Sequence, residues 1–394
     1  MIGADRWSNP FWLHLRRRAV VVGALLSVAV IAVHLAVRGY GWRYEWTWAM
    51  HQYAFTVIFL GPIAAAVGAF EGSRWTDVPE SASFRSSRWR LGGRVAAAAF
   101  TSVAVPYTAG LVLVLAVSWV AGNPGGPSLV QLGPVLAGYA FIAGHAAIGS
   151  TVGLVTGSGL AAPLLGLGMF CFGVMAYGMP GYLTDVGQAT GSLIGLQVRP
   201  GVAVTQILFW SAVTMISVAA VRRPRQRAIP VVCAGLGVAA VTLLAQVSID
   251  DKLEPSPVGA VCEPADAPGA TICLGPGYEQ FRHDVEVSIA PAVGWVRASG
   301  STEPLVFSQQ GSVVFETGAG YIDGAMLDGS IASGSLAVAN ALIPASCDLW
   351  VDAPAGDAFG VIGEEFRSGD PDLARLGDAI AVLTSCDTSV APPS

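Results

Sequence analysis

Residues 95–184 contain no Asp, Glu, Lys or Arg. A helix crosses the hydrocarbon core of a bilayer with about 20 apolar residues, so a charge-free run of this length must hold several crossings. Uncharged apolar windows along the chain predict seven spans, at about 19–37, 53–70, 95–121, 132–155, 160–179, 201–221 and 228–248. Beyond residue 249 the pattern changes to short apolar runs between Gly, Pro and Ser. Tyr278, Phe281, Val285, Ile289, Val293 and Val296 recur every three or four positions, which predicts an amphipathic helix over 276–299 with Pro291 as a kink or break. Two short strands around Gln309, Gln310 and Gly311, a small-residue helix over 330–342 and a closing helix over 370–385 complete the expectation. The fold class is therefore an all-α polytopic membrane bundle of about seven transmembrane helices followed by a small α+β domain. Its parts are an interfacial helix over 1–18, a transmembrane domain over 19–248 and a globular domain over 249–394.

Charge divides the chain at the same place. Residues 1–249 carry 16 Arg against 6 acidic residues, while the remainder carries 21 acidic residues against 4 Arg and Lys252. The overall charge of −6 describes neither half. Arginines cluster at 16–18, at Arg74, Arg85, Arg88, Arg90 and Arg94, and at Arg222, Arg223, Arg225 and Arg227. If every window crosses once, all three clusters share one face, and the positive-inside rule puts the N-terminus in the cytoplasm of a cell membrane. Seven crossings then leave the acidic domain outside.

Cysteine usage agrees with that placement. Cys171 and Cys233 fall inside predicted spans, where a thiol is usually a small apolar core residue. Cys262, Cys273, Cys347 and Cys386 all fall in the domain placed outside, and an even number in an oxidising compartment implies two disulfides. Three connectivities are open, with Cys262–Cys273 and Cys347–Cys386 favoured. A four-thiolate zinc site is the alternative, but the close C-x-x-C pairs typical of such sites are missing.

Within the membrane half, Trp7, Phe11, Trp12 and Leu15 recur at helical spacing before the first span, as in a helix lying in the interface or a plain aromatic anchor. Tyr40, Trp42, Tyr44, Trp46 and Trp48 crowd the next loop and read as an aromatic belt at the outer headgroups. The segment 71–94, with Glu71, Arg74, Asp77, Glu80, Arg85, Arg88 and Arg90, is the largest cytoplasmic loop, either a solvated connection or a docking surface. Gly149, Gly153 and Gly157 stand four apart and would let another helix approach closely. Gly187, Gly191 and Gly195 repeat that spacing beside Leu193, Ile194 and Leu196, which suggests a partly embedded re-entrant hairpin. His145 is the ionisable residue nearest the middle of a predicted span, a functional candidate by position and a structural hydrogen-bond donor otherwise. Pro62 and Pro106 are expected to bend their helices.

Catalytic chemistry has little support. No H-E-x-x-H, G-x-S-x-G or G-x-x-x-x-G-K-[ST] occurs, and His283 beside Asp284 would diverge on a helix. No catalytic, cofactor-binding or metal-binding residue is expected, and nothing points to nucleic acid. The absence of paired carboxylates within the spans argues against a proton- or cation-coupled carrier.

The order of parts resembles the permease subunits of ABC-2-type exporters: an interfacial helix, a charged cytoplasmic loop between the second and third spans, and a Gly-rich embedded segment between the fifth and sixth. The resemblance covers residues 1–221 and is one of architecture. It implies a connecting helix at 7–18, a coupling region on Glu71, Arg74, Asp77, Arg85, Arg88 and Arg90, and outer re-entrant helices at 187–196. A separate ATP-binding-cassette subunit would hydrolyse ATP, and two permease copies, alike or different, would pair in the bilayer. A seventh span and a cysteine-bearing domain depart from the family, in a manner similar to actinobacterial ABC-transporter-like membrane proteins. The other expectation is a membrane-anchored sensory or interaction protein whose outer domain binds a ligand or partner.

Overall fold

The structure is a computed structural model that describes residues 18–37, 39, 41–75, 88–176, 186–187, 192–221, 229–247, 252–309, 319–322, 334–344, 347 and 353–386. The expected interfacial helix, Asp77, Glu80, Arg85, Tyr40, Gly191 and the arginines at 222–227 lie outside those residues, as do the side chains of Arg88 and Arg90.

Helix α1 (Arg18–Val37) buries one stripe, Val20, Gly23, Ser27, Ile31 and His34, and exposes Val21, Leu25, Val28 and Val33. That spacing is the one-sided burial of a helix at the rim of a bundle. A short 3-10 turn (Gly41–Tyr44) leads into α2 (Trp46–Phe55) and α3 (Val57–Ser73), which share one span interrupted at Thr56. The Thr56 hydroxyl donates to the Tyr53 carbonyl at 2.8 Å, and Pro62 lies inside α3. This is the most enclosed span of the molecule. Helix α4 (Arg88–Val120) and helix α5 (Leu129–Thr156) pack beside it. Ser128 and Gln131 form a capping box at the start of α5, and Gly157 ends it at φ 64°. Helices α6 (Ala161–Ala176), α7 (Pro200–Ala220) and α8 (Ile229–Val247) complete the bundle.

Among the described residues, five helical segments are long and apolar enough to cross a membrane: Arg18–Val37, Trp46–Ser73, Leu91–Val120, Leu129–Thr156 and Pro200–Ala220. Exposed Val112, Leu113, Leu164, Phe172 and Val241 surround the bundle, as expected of a lipid-facing surface. The window at 160–179 forms the shorter apolar helix α6, of 16 residues, and the window at 228–248 forms α8, of 19 residues, whose described side chains, Val232–Thr242, are apolar as well. Cys171 and Cys233 are exposed on those two helices, not buried in the core.

The C-terminal domain carries a four-stranded sheet in the order β3 (Val261–Pro264), β4 (Ala270–Leu274), β5 (Leu305–Ser308), β6 (Gly320–Tyr321). The first pair is antiparallel and the others parallel, with Ile272 opposite Phe307. Helix α9 (Arg282–Ala298) makes the crossover between β4 and β5 and buries Val285, Ile289, Val293 and Val296, the stripe read from the sequence. Pro291 is exposed on α9, and the helix runs through it unbroken. Helices α10 (Gly334–Ala341), α11 (Ala353–Ser368) and α12 (Leu373–Thr384) close the core, and α11 had no counterpart in the sequence reading. Both favoured cysteine pairings, Cys262 with Cys273 and Cys347 with Cys386, are disulfides.

Two features bind the domain to one end of the bundle. Strand β1 (Leu196–Val198), just before α7, pairs antiparallel with β2 (Leu253–Pro255), just after α8, so that Gln197 faces Glu254. The expected re-entrant hairpin over 187–196 is, in its described part, a turn and this strand. The hydrophobic core of the domain also takes in Tyr44 and Ile194 from the bundle. The seam is continuous packing.

Candidate functional site

At that seam the chain from Gly41 to Trp48 does what the sequence hid. The aromatic residues read as a headgroup belt are buried: Trp42, Tyr44, Trp46 and Trp48 are 5 to 8% exposed. Each of the three indole N–H groups is used internally. Trp42 Nε1 donates to the Gly39 carbonyl at 2.9 Å, Trp46 Nε1 to the Pro124 carbonyl at 2.9 Å, and Trp48 Nε1 to Gln52 Oε1 at 2.8 Å. Tyr44 packs against Tyr278 and edge-on against Phe281 of the C-terminal domain. The Gly277 position lies so near the Tyr44 carbonyl that an added Cβ would stand 2.0 Å from it, which is why glycine is required there. Tyr278 Oη donates to the Gly41 carbonyl at 3.1 Å, and Gln280 Nε2 to the Ala121 carbonyl at 2.8 Å.

Glu45 is the polar centre of this seam. It precedes α2 in extended conformation and makes no cap with its side chain, which turns toward the segment entering β1. Ser192 Oγ donates to Glu45 Oε2 at 2.7 Å and the Leu193 N–H to Oε1 at 2.5 Å. Burial disfavours the ionised form and pushes the carboxyl up to about 7, while the two hydrogen bonds act in the opposite direction. Around it lies a cavity of about 410 Å³. Its floor is made of buried residues, among them Glu45, Trp46, Asn123, Ile194 and Tyr278, and its rim of exposed ones, Gly126, Ser128, Pro257 and Val258. Glu45 is the single charged residue lining it among the described residues. Gln131 Nε2 donates to Thr47 Oγ1 at 3.0 Å and fixes one wall. Asn123 is 6% exposed, and its Nδ2 has no hydrogen-bond partner among the described residues. A concave apolar site with a few convergent polar groups and a carboxyl displaced from its ordinary range has the chemistry of a ligand pocket.

The residues singled out from the sequence gather elsewhere. His145 is buried, its Nδ1 donates to the Phe141 carbonyl at 2.9 Å, and its ring lies 4.1 Å from Phe141 and 4.9 Å from Trp210 by centroids. That environment is a packed aromatic stack. Gly149 and Gly153 meet the Ala65 and Ala69 carbonyls, where an added Cβ would stand at 2.1 Å in each case. Gly157, expected to continue this packing face, is exposed and serves as the left-handed cap of α5. Glu71 is not in a loop: it lies in the last turn of α3 at 0% exposure, 4.0 Å from Arg74. Because α3 runs to Ser73 and α4 starts at Arg88, the expected coupling segment shrinks to the connection between them.

Sequence reasoning missed a second polar set. His51, Gln52 and Thr56 are buried in the span, so His145 is not its lone histidine neighbourhood. His34 Nε2 bonds the Gln52 carbonyl at 3.1 Å, Tyr53 Oη donates to the Tyr107 carbonyl, and Tyr139 shares a 2.7 Å hydrogen bond with Thr108. The sequence window opened at residue 53 and left the preceding turns of the helix out. Among the described residues no group of three or more His, Cys, Asp or Glu could hold a metal ion, and the disulfides leave no four-thiolate zinc site. No family model, curated protein or solved structure matches the chain.

Proposed function

We propose that this chain is a membrane-embedded ligand-binding protein whose site is the cavity between its helical bundle and its disulfide-bonded domain. The observation that carries the reading is Glu45, a buried carboxyl held by Ser192 and Leu193 of the bundle in a lining that also includes Gly275, Pro276 and Tyr278 of the domain. A binding event there contacts the start of α2 and the domain together, which suits a sensor that reports occupancy to its helices. The arginine clusters support a cytoplasmic N-terminus and a domain facing outward.

Native mass spectrometry of the chain released from its own membranes tests this. The expected spectrum shows one small-molecule or lipid adduct per chain, lost in Gly126→Trp, where the rim glycine has open space for a side chain. An adduct unaffected by that substitution, or none at all, would overturn the binding site.

The order of helices supports a second reading, the permease subunit of an ATP-driven ABC-2-type exporter. Under it the cavity is a way station for substrate, and the ATPase docks on the connection after Ser73. A stoichiometric ATP-binding-cassette subunit that co-elutes in mild detergent, and dissociates when Arg85, Arg88 and Arg90 are replaced by Glu, is the result that reading requires.

A further inference from the structure

The class of ligand can be named from the cavity walls, an inference that rests on the binding reading above. We propose that the cavity takes an organic ammonium whose charge lies a short chain away from an oxygen acceptor, the head common to free amino alcohols and to lipids esterified with them. Among the described lining residues Glu45 is the charged one, so a cation meets a carboxylate there. Ser192 and Leu193 occupy one direction on each carboxylate oxygen, and the other lone pairs can accept from a ligand. Tyr44, Trp46 and Tyr278 line the same cavity, and aromatic faces attract ammonium groups. The Arg43 guanidinium already lies 5.4 Å from the Tyr44 ring centroid, which leaves Trp46 and Tyr278 as the rings for a ligand cation. Asn123 supplies the second pole. Its buried Nδ2 calls for an acceptor, and an oxygen on the ligand provides one. An anionic ligand fits poorly, because it would face Glu45 with no Lys, Arg or His among the described lining residues to pair with it.

The charged state of Glu45 then governs affinity. Another acid at the seam, Glu254, accepts a hydrogen bond from the lining residue Gln197 at 2.9 Å, and the buried Lys252 donates to the Gly187 carbonyl at 3.3 Å. A cation binds the ionised carboxyl, so affinity falls as pH drops below about 7 and levels off above it.

Isothermal titration calorimetry on the full chain in phosphatidylglycerol nanodiscs, with choline as probe and 3,3-dimethylbutan-1-ol as its uncharged isostere, tests the proposal. Choline is expected to bind one per chain at pH 8, at least tenfold more tightly than the isostere, and to weaken about tenfold per pH unit below 7. Glu45→Gln should remove both the preference and the pH dependence in a chain that still unfolds cooperatively. Asn123→Ala should weaken choline and keep the pH profile. If free choline fails but one phosphatidylcholine per chain is retained from mixed nanodiscs and lost in Glu45→Gln, the ammonium is that of a lipid headgroup. Equal binding of choline and isostere, both blocked by Gly126→Trp, overturns the ammonium class and leaves the site. No binding of choline, isostere or lipid overturns both.

Discussion

Four small residues in α3 and four in α5 set how close these two helices come. Gly68 and Gly72 lie against Ala146 and Ser150 backbone, and Gly149 and Gly153 lie against Ala65 and Ala69. Gly149→Ala would push a methyl into a carbonyl 2.1 Å away, and the helices must part. A loss of about 1–3 kcal/mol is expected from such overpacking. Thermal unfolding in detergent checks it, with Gly168→Ala, which meets nothing within 4 Å, expected to leave the melting temperature unchanged. The four-residue spacing at 149, 153 and 157 was legible in the sequence; its partner surface and the capping role of Gly157 were not, because spacing does not say where a helix ends. Glu45 was invisible for a similar reason. A lone acid among tryptophans carries no motif, and only the fold brings Ser192 to it. Its raised carboxyl gives a second prediction. The folded state holds that proton between about pH 4.5 and 7 where the unfolded chain has released it, so the Glu45 contribution to stability falls as pH rises through that window and is constant above it. The melting temperature of Glu45→Gln should therefore gain on that of the native chain from pH 5 to 7, and a flat difference would contradict this.

At the scale of elements, the disulfides fix the two parts of the C-terminal domain differently. Cys347–Cys386 closes a 39-residue loop holding α11 and α12, while Cys262–Cys273 ties the neighbouring strands β3 and β4 across an 11-residue loop. Chain entropy assigns about 4 kcal/mol to the longer loop and about 3 kcal/mol to the shorter. Replacing Cys347 and Cys386 by Ser should lower the unfolding temperature of the domain more than replacing Cys262 and Cys273. The reverse order would show that β3 pairing depends on its bridge. Helix α9 was legible because its stripe has an unambiguous period and Pro291 falls on the exposed face. Helix α11 was not, since Gly and Ala dilute its apolar face. The aromatic cluster misled for a physical reason: tryptophan suits an interface with lipid and an interface with another domain equally well.

For the molecule as a whole, α6 brings the chain back to Ser192 beside Glu45 and α8 brings it back to β2 beside β1, so both return to the seam end and an odd number of crossings is expected, with the N-terminus and the C-terminal domain on opposite faces of a membrane. A membrane-impermeant thiol reagent, applied to intact cells after reduction, should then label the four cysteines of the domain if the arginine clusters face the cytoplasm. Silence there would put the domain inside. The division into an apolar bundle and an acidic domain was plain in the sequence, whereas the seam between them depends on contacts more than 140 residues apart, such as Gly41 with Tyr278. The central claim is that bundle and domain close around one ligand site. Its most direct measurement is a density map of the chain in nanodiscs of its own membrane lipids, at a resolution that separates side chains. The account predicts non-protein density in the seam cavity within hydrogen-bonding reach of Glu45 and Asn123. A map with the domain docked and that cavity empty, or filled by the chain's own side chains, would contradict it.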